Sequence, residues 1–235
     1  FKQTETRTGR ISSIEPNMQN IPVRTELGGE VRRMFIPRDG WVFVDADYSQ
    51  IELRILAHIA DDLAMQRAFT DQVDIHTTTA SQVFRVSESA VTPEMRRAAK
   101  AVNFGIVYGI SEFSLAKDIG VSVGEARQYI ENYLSHYAGV RAYMKEIVER
   151  ARRDGYVTTL LGRRRPIPEI HAKNFNLRSF GERVALNAPI QGTAADIIKI
   201  AMLRVSDRLA REGLAAQLVL QVHDELIVEA PREEA

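Results

Sequence analysis

Apolar runs that end in acidic residues are the feature that most constrains the fold of this chain. The run WVFVDAD, at residues 41–47, follows an Asp-Gly pair and predicts a buried strand that ends at Asp47. Near the carboxyl end, two short apolar runs at 218–222 and 226–230 predict a tight hairpin with Asp224 near its tip. A carboxylate at a strand end is held rigidly and can project into a cleft, although either aspartate alone could simply begin a turn.

Helical patterns fill much of the remaining chain. Thr92-Pro93-Glu94 predicts a capped helix start, because threonine caps well and proline suits the first helical position. Ser122 and Glu125 predict a capping box, and Thr193 to Asp196 predicts another capped start. The predicted helices cover residues 50–59, 93–108, 122–134, 140–153 and 197–211. The polar opening through about residue 25 predicts loops with short ordered pieces.

The helix predicted from residue 93 carries a stripe of four functional side chains. Arg96, Lys100, Phe104 and Tyr108 recur every four residues and therefore share one face of about 120°. Cations near a helix start are disfavoured by the helix dipole unless an anion compensates them, and a triphosphate would supply that anion. A solvated cationic face followed by core aromatics explains the same pattern equally well.

Composition narrows the possible chemistry. The chain has 235 residues and no cysteine, so any metal must be bound by oxygen or imidazole ligands, which favours hard cations. Because 31 basic residues balance 31 acidic ones, there is no overall basic excess to indicate nucleic-acid binding. Neither GxxxxGK[ST] nor GxGxxG occurs, which disfavours kinase, ATPase and dinucleotide-binding functions. No apolar run approaches the ~20 residues of a membrane span, and we expect a cytoplasmic protein.

Five stretches resemble the motifs of family A DNA polymerases of the bacterial DNA polymerase I type. DADYSQIELR, at residues 45–54, resembles motif A, and RRAAKAVNFGIVYG, at 96–109, resembles motif B on the fingers helix. QVHDE, at 221–225, is similar to motif C. The stretches at 8–25 and 178–202 also match, in the same order, so the resemblance spans essentially the whole chain.

The resemblance implies an α+β fold with two parts. The first is the palm of a right-hand polymerase, a small antiparallel sheet with packed helices, which residues 1–51 and 173–235 would form. The second is a mostly helical fingers subdomain at residues 52–172. Since the chain begins at Phe1, we expect a fragment without a thumb or an exonuclease domain, with weak or no polymerase activity by itself.

The resemblance also implies a role for particular residues. Asp47 and Asp224 would bind the metals, with Glu225 beside them, and Lys100 would join these acids as a catalytic residue. The nucleotide pocket would contain a set of residues that bind the triphosphate, base or sugar: Arg96, Lys100, His76, Gln50, Glu52, Phe104 and Tyr108. Within that set, Glu52 would exclude ribonucleotides and Tyr108 would lie by the templating position. The primer-template would contact Arg10, Asn17, Asn20, Arg183, Asn187, Gln191 and His223.

The implied reaction is template-directed addition of deoxynucleotides to a primer 3′ end, with release of pyrophosphate. Two Mg²⁺ ions, which Mn²⁺ could replace, would assist the phosphoryl transfer, and deoxynucleoside triphosphates would be the substrate. We expect a monomeric enzyme of DNA replication or repair, associated with the nucleoid, whose partner is primer-template DNA rather than a membrane.

Other functions remain open at this point. A single-subunit phage-type RNA polymerase would share the metal-binding acids, but it has no reason to exclude a 2′ hydroxyl and would carry a tyrosine in place of Phe104. A catalytically silent DNA-binding module could keep the fold, although it would not need both aspartates together with Arg96 and Lys100. A metal-dependent nuclease could use the paired acids but not the cationic stripe.

Overall fold

The computed structural model of the protein describes residues 1–22 and 26–235, which form two compact units. Residues 1–51 and 192–235 form the sheet unit, and residues 52–191 form the helical unit. The first contains a small antiparallel sheet and the second is mainly helical, which confirms the predicted α+β class. The assignment of palm and fingers, with its return to the palm at residue 173, stays a prediction because compactness alone does not identify these subdomains.

Helices account for most of the regular structure, and the strands are few and short. The helices are α1 (Glu26–Arg32), α2 (Ile51–Ile59), α3 (Leu63–Thr70), α4 (Ile75–Phe84), α5 (Pro93–Val107), α6 (Glu112–Ile119), α7 (Val123–His136), α8 (Ala138–Asp154) and α9 (Phe175–Arg211). The strands are β1 (Trp41–Asp47), β2 (Tyr156–Thr158), β3 (Arg164–Pro166), β4 (Gln217–Val222) and β5 (Glu225–Pro231). None of the described helices is both long and apolar enough to cross a membrane.

Most of the predicted helices are confirmed, within a few residues at each end. The capping box of Ser122 and Glu125 is present at the start of α7, and the side chain of Thr92 caps α5. Helices α1, α3, α4 and α6 and the β2–β3 pair were not predicted from the sequence. The opening residues form loops with one isolated bridge, between Lys2 and Ser12. Residues 23–25 of the predicted loop, and of the motif stretch at 8–25, lie outside the described residues.

The sheet of the sheet unit has the strand order β1-β5-β4, with both pairs antiparallel. The β1–β5 register runs from Trp41 opposite Pro231 to Asp47 opposite Glu225. The strand predicted at 41–47 is therefore confirmed, but the prediction that it is buried is wrong, because all five residues from 43 to 47 are exposed. The physical reason is that β1 is an edge strand of a small sheet, so its side chains stay accessible to water.

An ion pair fastens the segment before β1 to the central strand. The Arg38 guanidinium donates to the Glu229 carboxylate at 2.9 and 2.7 Å, and the Arg38 backbone amide donates to it at 2.8 Å. These hydrogen bonds hold the pKa of Glu229 below its usual range. The guanidinium also lies 3.9 Å from the ring centroid of Trp41, the first residue of β1. The start of β1 is thereby fixed on β5 by side-chain contacts as well as by the backbone ladder.

The last helix corrects the prediction of a capped start near Thr193. Helix α9 is continuous from Phe175 to Arg211 and contains Pro189 in its interior. Proline removes one backbone hydrogen bond and usually breaks a helix. Here Ala185 and Ala188 belong to a buried apolar cluster, and Ile190 is also buried. Tertiary burial of this face therefore outweighs the local preference on which the sequence prediction relied.

A buried aspartate joins the starts of two helices in the helical unit. Asp62 is 4% exposed and caps α3, where its Oδ1 accepts from the Met65 amide at 3.0 Å. Its Oδ2 accepts from the amides of Gly139 and Val140, in the first turn of α8, at 2.9 and 3.3 Å. The approach is close, because a Cβ at position 139 would lie 2.7 Å from the Ala60 carbonyl oxygen. One carboxylate thus satisfies backbone donors of both helices.

We expect Asp62→Ala to lower the free energy of unfolding by about 3 kcal/mol, because two buried amides and one half-buried amide lose their acceptor at once. Urea unfolding of the variant and the parent measures this difference. The matched control is Asp71→Ala, which removes an exposed carboxylate just after α3 and should change stability by less than about 0.5 kcal/mol. Equal effects of the two substitutions would contradict the double-cap role of Asp62.

Candidate active site

The sheet unit brings two predicted metal ligands to one end of the sheet. Asp47 is the last residue of β1 and lies opposite Glu225, the first residue of β5. Asp224 belongs to the two-residue turn between β4 and β5, in which His223 has a φ of 52°. The Asp224 carbonyl oxygen accepts from the amide of Tyr48, immediately after Asp47, at 3.1 Å. The backbone therefore fixes both aspartates and Glu225 close together.

Negative charge at this end of the sheet is only partly compensated. Although Asp47 is exposed, partial desolvation by the surrounding protein raises its pKa, and the neighbouring charges of Asp224 and Asp45 raise it further. The pKa of Glu225 is raised by burial and by Asp45 and Asp47, while Arg32 opposes the shift. Carboxylates that raise one another's pKa in this way would be stabilised by a hard cation, for which oxygen is the preferred ligand.

The carboxylates do not by themselves make a complete metal cage. Among residues 1–22 and 26–235, no group of three or more histidine, cysteine or acidic side chains has an arrangement that could hold a metal ion. Mg²⁺ is commonly bound by one or two carboxylates, with water and substrate phosphates as the remaining ligands. The pair of Asp47 and Asp224 fits a divalent cation of that kind.

In the helical unit, helix α5 carries the predicted stripe. Arg96 and Lys100 are exposed, Phe104 is half-buried, and Tyr108 is the exposed residue that ends the helix. The structure therefore separates a polar first half of the stripe from a partly packed second half. This arrangement is compatible both with phosphate binding and with a solvated cationic face. The residues that surround each cation are needed to distinguish the two interpretations.

One of the two cations has a protein partner that sequence reasoning missed. Asp74, the residue that caps α4, accepts from Arg96 Nε at 2.6 Å and from the Thr77 hydroxyl at 2.8 Å. Although burial raises the pKa of Asp74, the hydrogen bonds from Arg96 and Thr77 lower it to about 2. Within the described part of the chain, Lys100 forms no ion pair. The anion expected near the start of α5 is thus supplied partly by Asp74, which pairs with Arg96.

His76 lies beside the stripe but is buried. Its ring is 3% exposed, with its centroid 5.9 Å from that of Phe104. Burial lowers the pKa of His76, and the positive charges of Arg96 and Lys100 lower it further, against the opposite effect of Asp74. The imidazole is consequently neutral near pH 7, so any contact with a phosphate would be a neutral hydrogen bond rather than an ion pair.

Glu52 and Tyr108, which the sequence placed near the sugar and the template, are hydrogen-bonded to each other. The Tyr108 hydroxyl donates to Glu52 Oε2 at 2.9 Å, and Glu52 is only 6% exposed. A side chain at the start of α2 is thereby joined to the end of α5. Gln50, just before α2, is half-buried and has a φ of 55°. No local pattern in the sequence signals the Glu52–Tyr108 bond.

The predicted DNA contacts divide between the two units. Arg10, Asn17, Asn20 and His223 lie in the sheet unit, and Arg183, Asn187 and Gln191 lie on α9 in the helical unit. The last three are four residues apart and share one helix face. Among the described residues, the buried Asn187 Nδ2 atom has no hydrogen-bond partner.

Gln19 is a further residue that sequence reasoning missed. Its Nε2 donates to the carbonyl oxygen of Gln221 at 3.2 Å. This bond holds the opening loops against strand β4, beside the turn that carries His223 and Asp224. The flanking asparagines in an otherwise irregular segment were the only signal of this contact in the sequence.

The comparisons with known proteins agree with this geometry. The family model described as DNA polymerase family A matches residues 1–235. The chain belongs to DNA polymerase family A. Among relatives in this family, DNA polymerase I of Bacillus caldotenax is 58% identical over 235 residues, which are 100% of this chain and 27% of that protein. The thermostable DNA polymerase I of Thermus aquaticus is 51% identical, again over 100% of this chain and over 28% of that protein.

A solved structure of a family A polymerase shows the same fold. The polymerase domain of Pol1 from M. smegmatis, in complex with DNA primer-template and dNTP, is 47% identical and superposes with a TM-score of 0.95. The similarity covers 100% of this chain and 41% of that one. The chain spans about a quarter of the length of the curated family A polymerases that it matches.

The ion pair between Asp74 and Arg96 predicts a measurable pH dependence of stability. The pKa of Asp74 falls from 3.8 to about 2 on folding, so the pair stabilises the fold above about pH 4 and this contribution is lost as the pH falls towards 2. The contribution is about 1 kcal/mol, because the Asp74 side chain is 37% exposed and solvent screens the pair. We expect Asp74→Asn, which keeps the helix cap, to remove it.

Urea unfolding of the parent and of Asp74→Asn between pH 2 and pH 6 tests this expectation. The two free energies of unfolding should differ most near pH 6 and converge towards pH 2. Arg96→Gln is the reciprocal control and should reduce the same dependence of the unfolding free energy on pH between pH 2 and pH 6. If both variants lost as much unfolding free energy between pH 6 and pH 2 as the parent does, the pair would not stabilise the fold.

Proposed function

We propose that this chain carries the catalytic residues of a template-directed DNA polymerase, which adds deoxynucleotides to a primer 3′ end by two-metal-ion phosphoryl transfer. The observation that carries the proposal is the pair Asp47 and Asp224, brought together at the end of the sheet with negative charge that is only partly compensated. Membership of family A supports the same function. The Pol1 polymerase domain, whose structure includes primer-template and dNTP, supports the proposed substrates.

In the proposed reaction, the primer 3′ hydroxyl loses its proton to solvent and its oxygen forms a bond to the α-phosphorus, while the bond from that phosphorus to the pyrophosphate oxygen breaks. Asp47 and Asp224 would hold two divalent cations, with Glu225 beside them. When bound, such cations would stabilise the charge on the attacking and leaving oxygens. Lys100 and Arg96 would bind the phosphate oxygens, Lys100 as a point charge and Arg96 through the part of its guanidinium that Asp74 leaves available. No side chain needs to act as a nucleophile.

Phe104 and Tyr108, in the second half of the α5 stripe, would position the nucleotide rather than neutralise its charge. Phe104 offers a half-buried aromatic face to the base and sugar. The hydrogen bond from Tyr108 holds the Glu52 carboxylate in one place. A fixed Glu52 can exclude a 2′ hydroxyl by occupying its volume, and such exclusion is how a rigid site rejects a larger competitor. Gln50 would line the same pocket.

The proposed DNA contacts do not depend on the base sequence of the duplex. Minor-groove acceptors are nearly the same for every base pair, so amide and guanidinium donors can test the shape of a duplex without selecting a sequence. Asn187, Gln191 and Arg183 present such donors along one face of α9. His223, Arg10, Asn17 and Asn20 would contribute contacts from the sheet unit. The proposed enzyme acts as a monomer on primer-template DNA.

Asp47→Ala or Asp224→Ala should lower single-turnover extension of a primed template by at least about 10³-fold, because each variant loses a metal ligand. The rate should be measured in the full-length protein, alongside thermal unfolding. Asp45→Asn is the matched control, since Asp45 is an acid on the same strand that is not a proposed ligand, and it should retain most of the extension rate. Substantial extension by either alanine variant would refute the ligand assignment.

Glu52→Ala should raise the ratio of ribonucleotide to deoxynucleotide incorporation by about 10-fold or more, because it opens the space beside the 2′ carbon. Tyr108→Phe is the matched comparison, since it removes the hydrogen bond to Glu52 but leaves the carboxylate, and its effect should be smaller. Incorporation ratios measured in the same full-length protein decide the matter. An unchanged ratio in Glu52→Ala would refute the role of Glu52 in sugar selection.

A further inference from the structure

A chain of buried polar side chains runs through the helical unit to His76. Its members are Tyr137, Thr79, Asn103 and His76, which are 1%, 0%, 0% and 3% exposed. The Tyr137 hydroxyl oxygen lies 3.4 Å from Thr79 Oγ1. Thr79 Oγ1 in turn lies 3.2 Å from Asn103 Oδ1. The Asn103 amide nitrogen then lies 3.1 Å from Nδ1 of His76. These residues come from α4, α5 and the junction of α7 with α8, so no segment of sequence contains the network.

The hydrogen bonds of this network can run in one direction. Burial raises the pKa of Tyr137 to about 12, so its hydroxyl keeps its proton and donates to Thr79. Thr79 has a single proton, which it donates to the carbonyl oxygen of Asn103. The reverse direction would leave the buried Tyr137 hydroxyl with no acceptor among the described residues, which is unfavourable. The amide of Asn103 is therefore oriented with its NH₂ group towards His76.

This orientation determines which nitrogen of the imidazole carries the proton. Because Asn103 donates to Nδ1, that nitrogen must accept, and the neutral ring carries its proton on Nε2. Phosphate oxygens only accept hydrogen bonds. A ring with the opposite tautomer would present a lone pair to them and would be repelled, whereas the Nε2–H tautomer can donate.

We propose that Asn103 is a positioning residue, which fixes the tautomer and orientation of His76 so that its Nε2–H donates to a phosphate oxygen of the bound nucleotide. The inference rests on the proposed function, which supplies the nucleotide. Thr79 and Tyr137 act through Asn103, because they set the direction of its amide. The charges that act on the His76 ring are those of Asp74, Arg96 and Lys100.

The test measures nucleotide binding separately from chemistry. The dissociation constant of a deoxynucleoside triphosphate is determined for the full-length protein on a primer-template whose primer lacks the 3′ hydroxyl. We expect Asn103→Leu, which keeps the volume but removes the N–H donor, to weaken binding about 10-fold. Tyr137→Phe and Thr79→Val remove one hydroxyl each and should weaken it in the same direction but less. Val102→Ala, a buried packing change at the neighbouring position, should leave it within about 2-fold.

A double-mutant cycle separates positioning from general loss of structure. In a His76→Phe background, Asn103→Leu should change the dissociation constant by less than about 2-fold, because its only target has gone. An undiminished effect in that background would overturn the proposal. A loss of binding in Val102→Ala equal to that in Asn103→Leu, at equal loss of stability, would overturn it as well.

The tautomer itself gives a readout that needs no nucleotide. The ¹⁵N shifts of selectively labelled histidine, with the His76 signal identified by its absence in His76→Phe, should show an Nε2–H ring in the parent protein. The fraction of that tautomer should fall in Asn103→Leu. An Nδ1–H ring in the parent would overturn the inference while leaving the proposed function untouched. Conversely, a parent that shows the expected tautomer but does not bind nucleotide would count against the proposed function and, with it, against the role of His76.

Discussion

The antiparallel pairing of β1 with β5 is the constraint on which the carboxylate site depends. Side chains alternate along a strand, so a slip of one residue in this register would turn Asp47 to the opposite face of the sheet. The pairing joins segments far apart in the chain, and it is reinforced by the contacts of Arg38 with Glu229 and Trp41. Those contacts lie at the opposite end of β1 from Asp47. The end of the sheet that carries the carboxylates is therefore held partly by interactions at the opposite end of β1.

The helical unit differs from the sheet unit in that several of its polar side chains are buried and are held in position by hydrogen bonds. Asp62 is tolerated in the core since its two oxygens accept three backbone donors, and the Thr79–Asn103–His76 network is tolerated because each member has a partner. A satisfied buried network has few alternative arrangements and so is rigid. Rigidity here is useful, because a hydrogen-bond donor must be correctly oriented before a ligand arrives.

Features that depend on neighbouring residues could be predicted from the sequence. Features that depend on contacts between distant segments could not. The strand at 41–47, the cap at Thr92 and the capping box at Ser122 follow from neighbouring residues, and all three are present. The continuous helix through Pro189 could not be predicted, because burial of its flanking residues overrides the local rule. The partners of Arg96 and His76 were missed for a similar reason. Asp74 and Asn103 reach them across the packing of α4 on α5, which has no signature in the order of residues.

The like charges in both units have a thermodynamic consequence. Asp45, Asp47 and Asp224 repel one another, which raises the pKa of Asp47 and destabilises the ligand-free fold. On α5, Asp74 pairs with Arg96, while Lys100 has no ion pair in the described part of the chain. On the proposed function, divalent cations would relieve the repulsion among the carboxylates of the sheet unit, and phosphate oxygens would compensate the cations of α5 in the helical unit. A ligand that binds only the folded state stabilises it, so each of these ligands should raise the free energy of unfolding by relieving charge repulsion that the ligand-free unit retains.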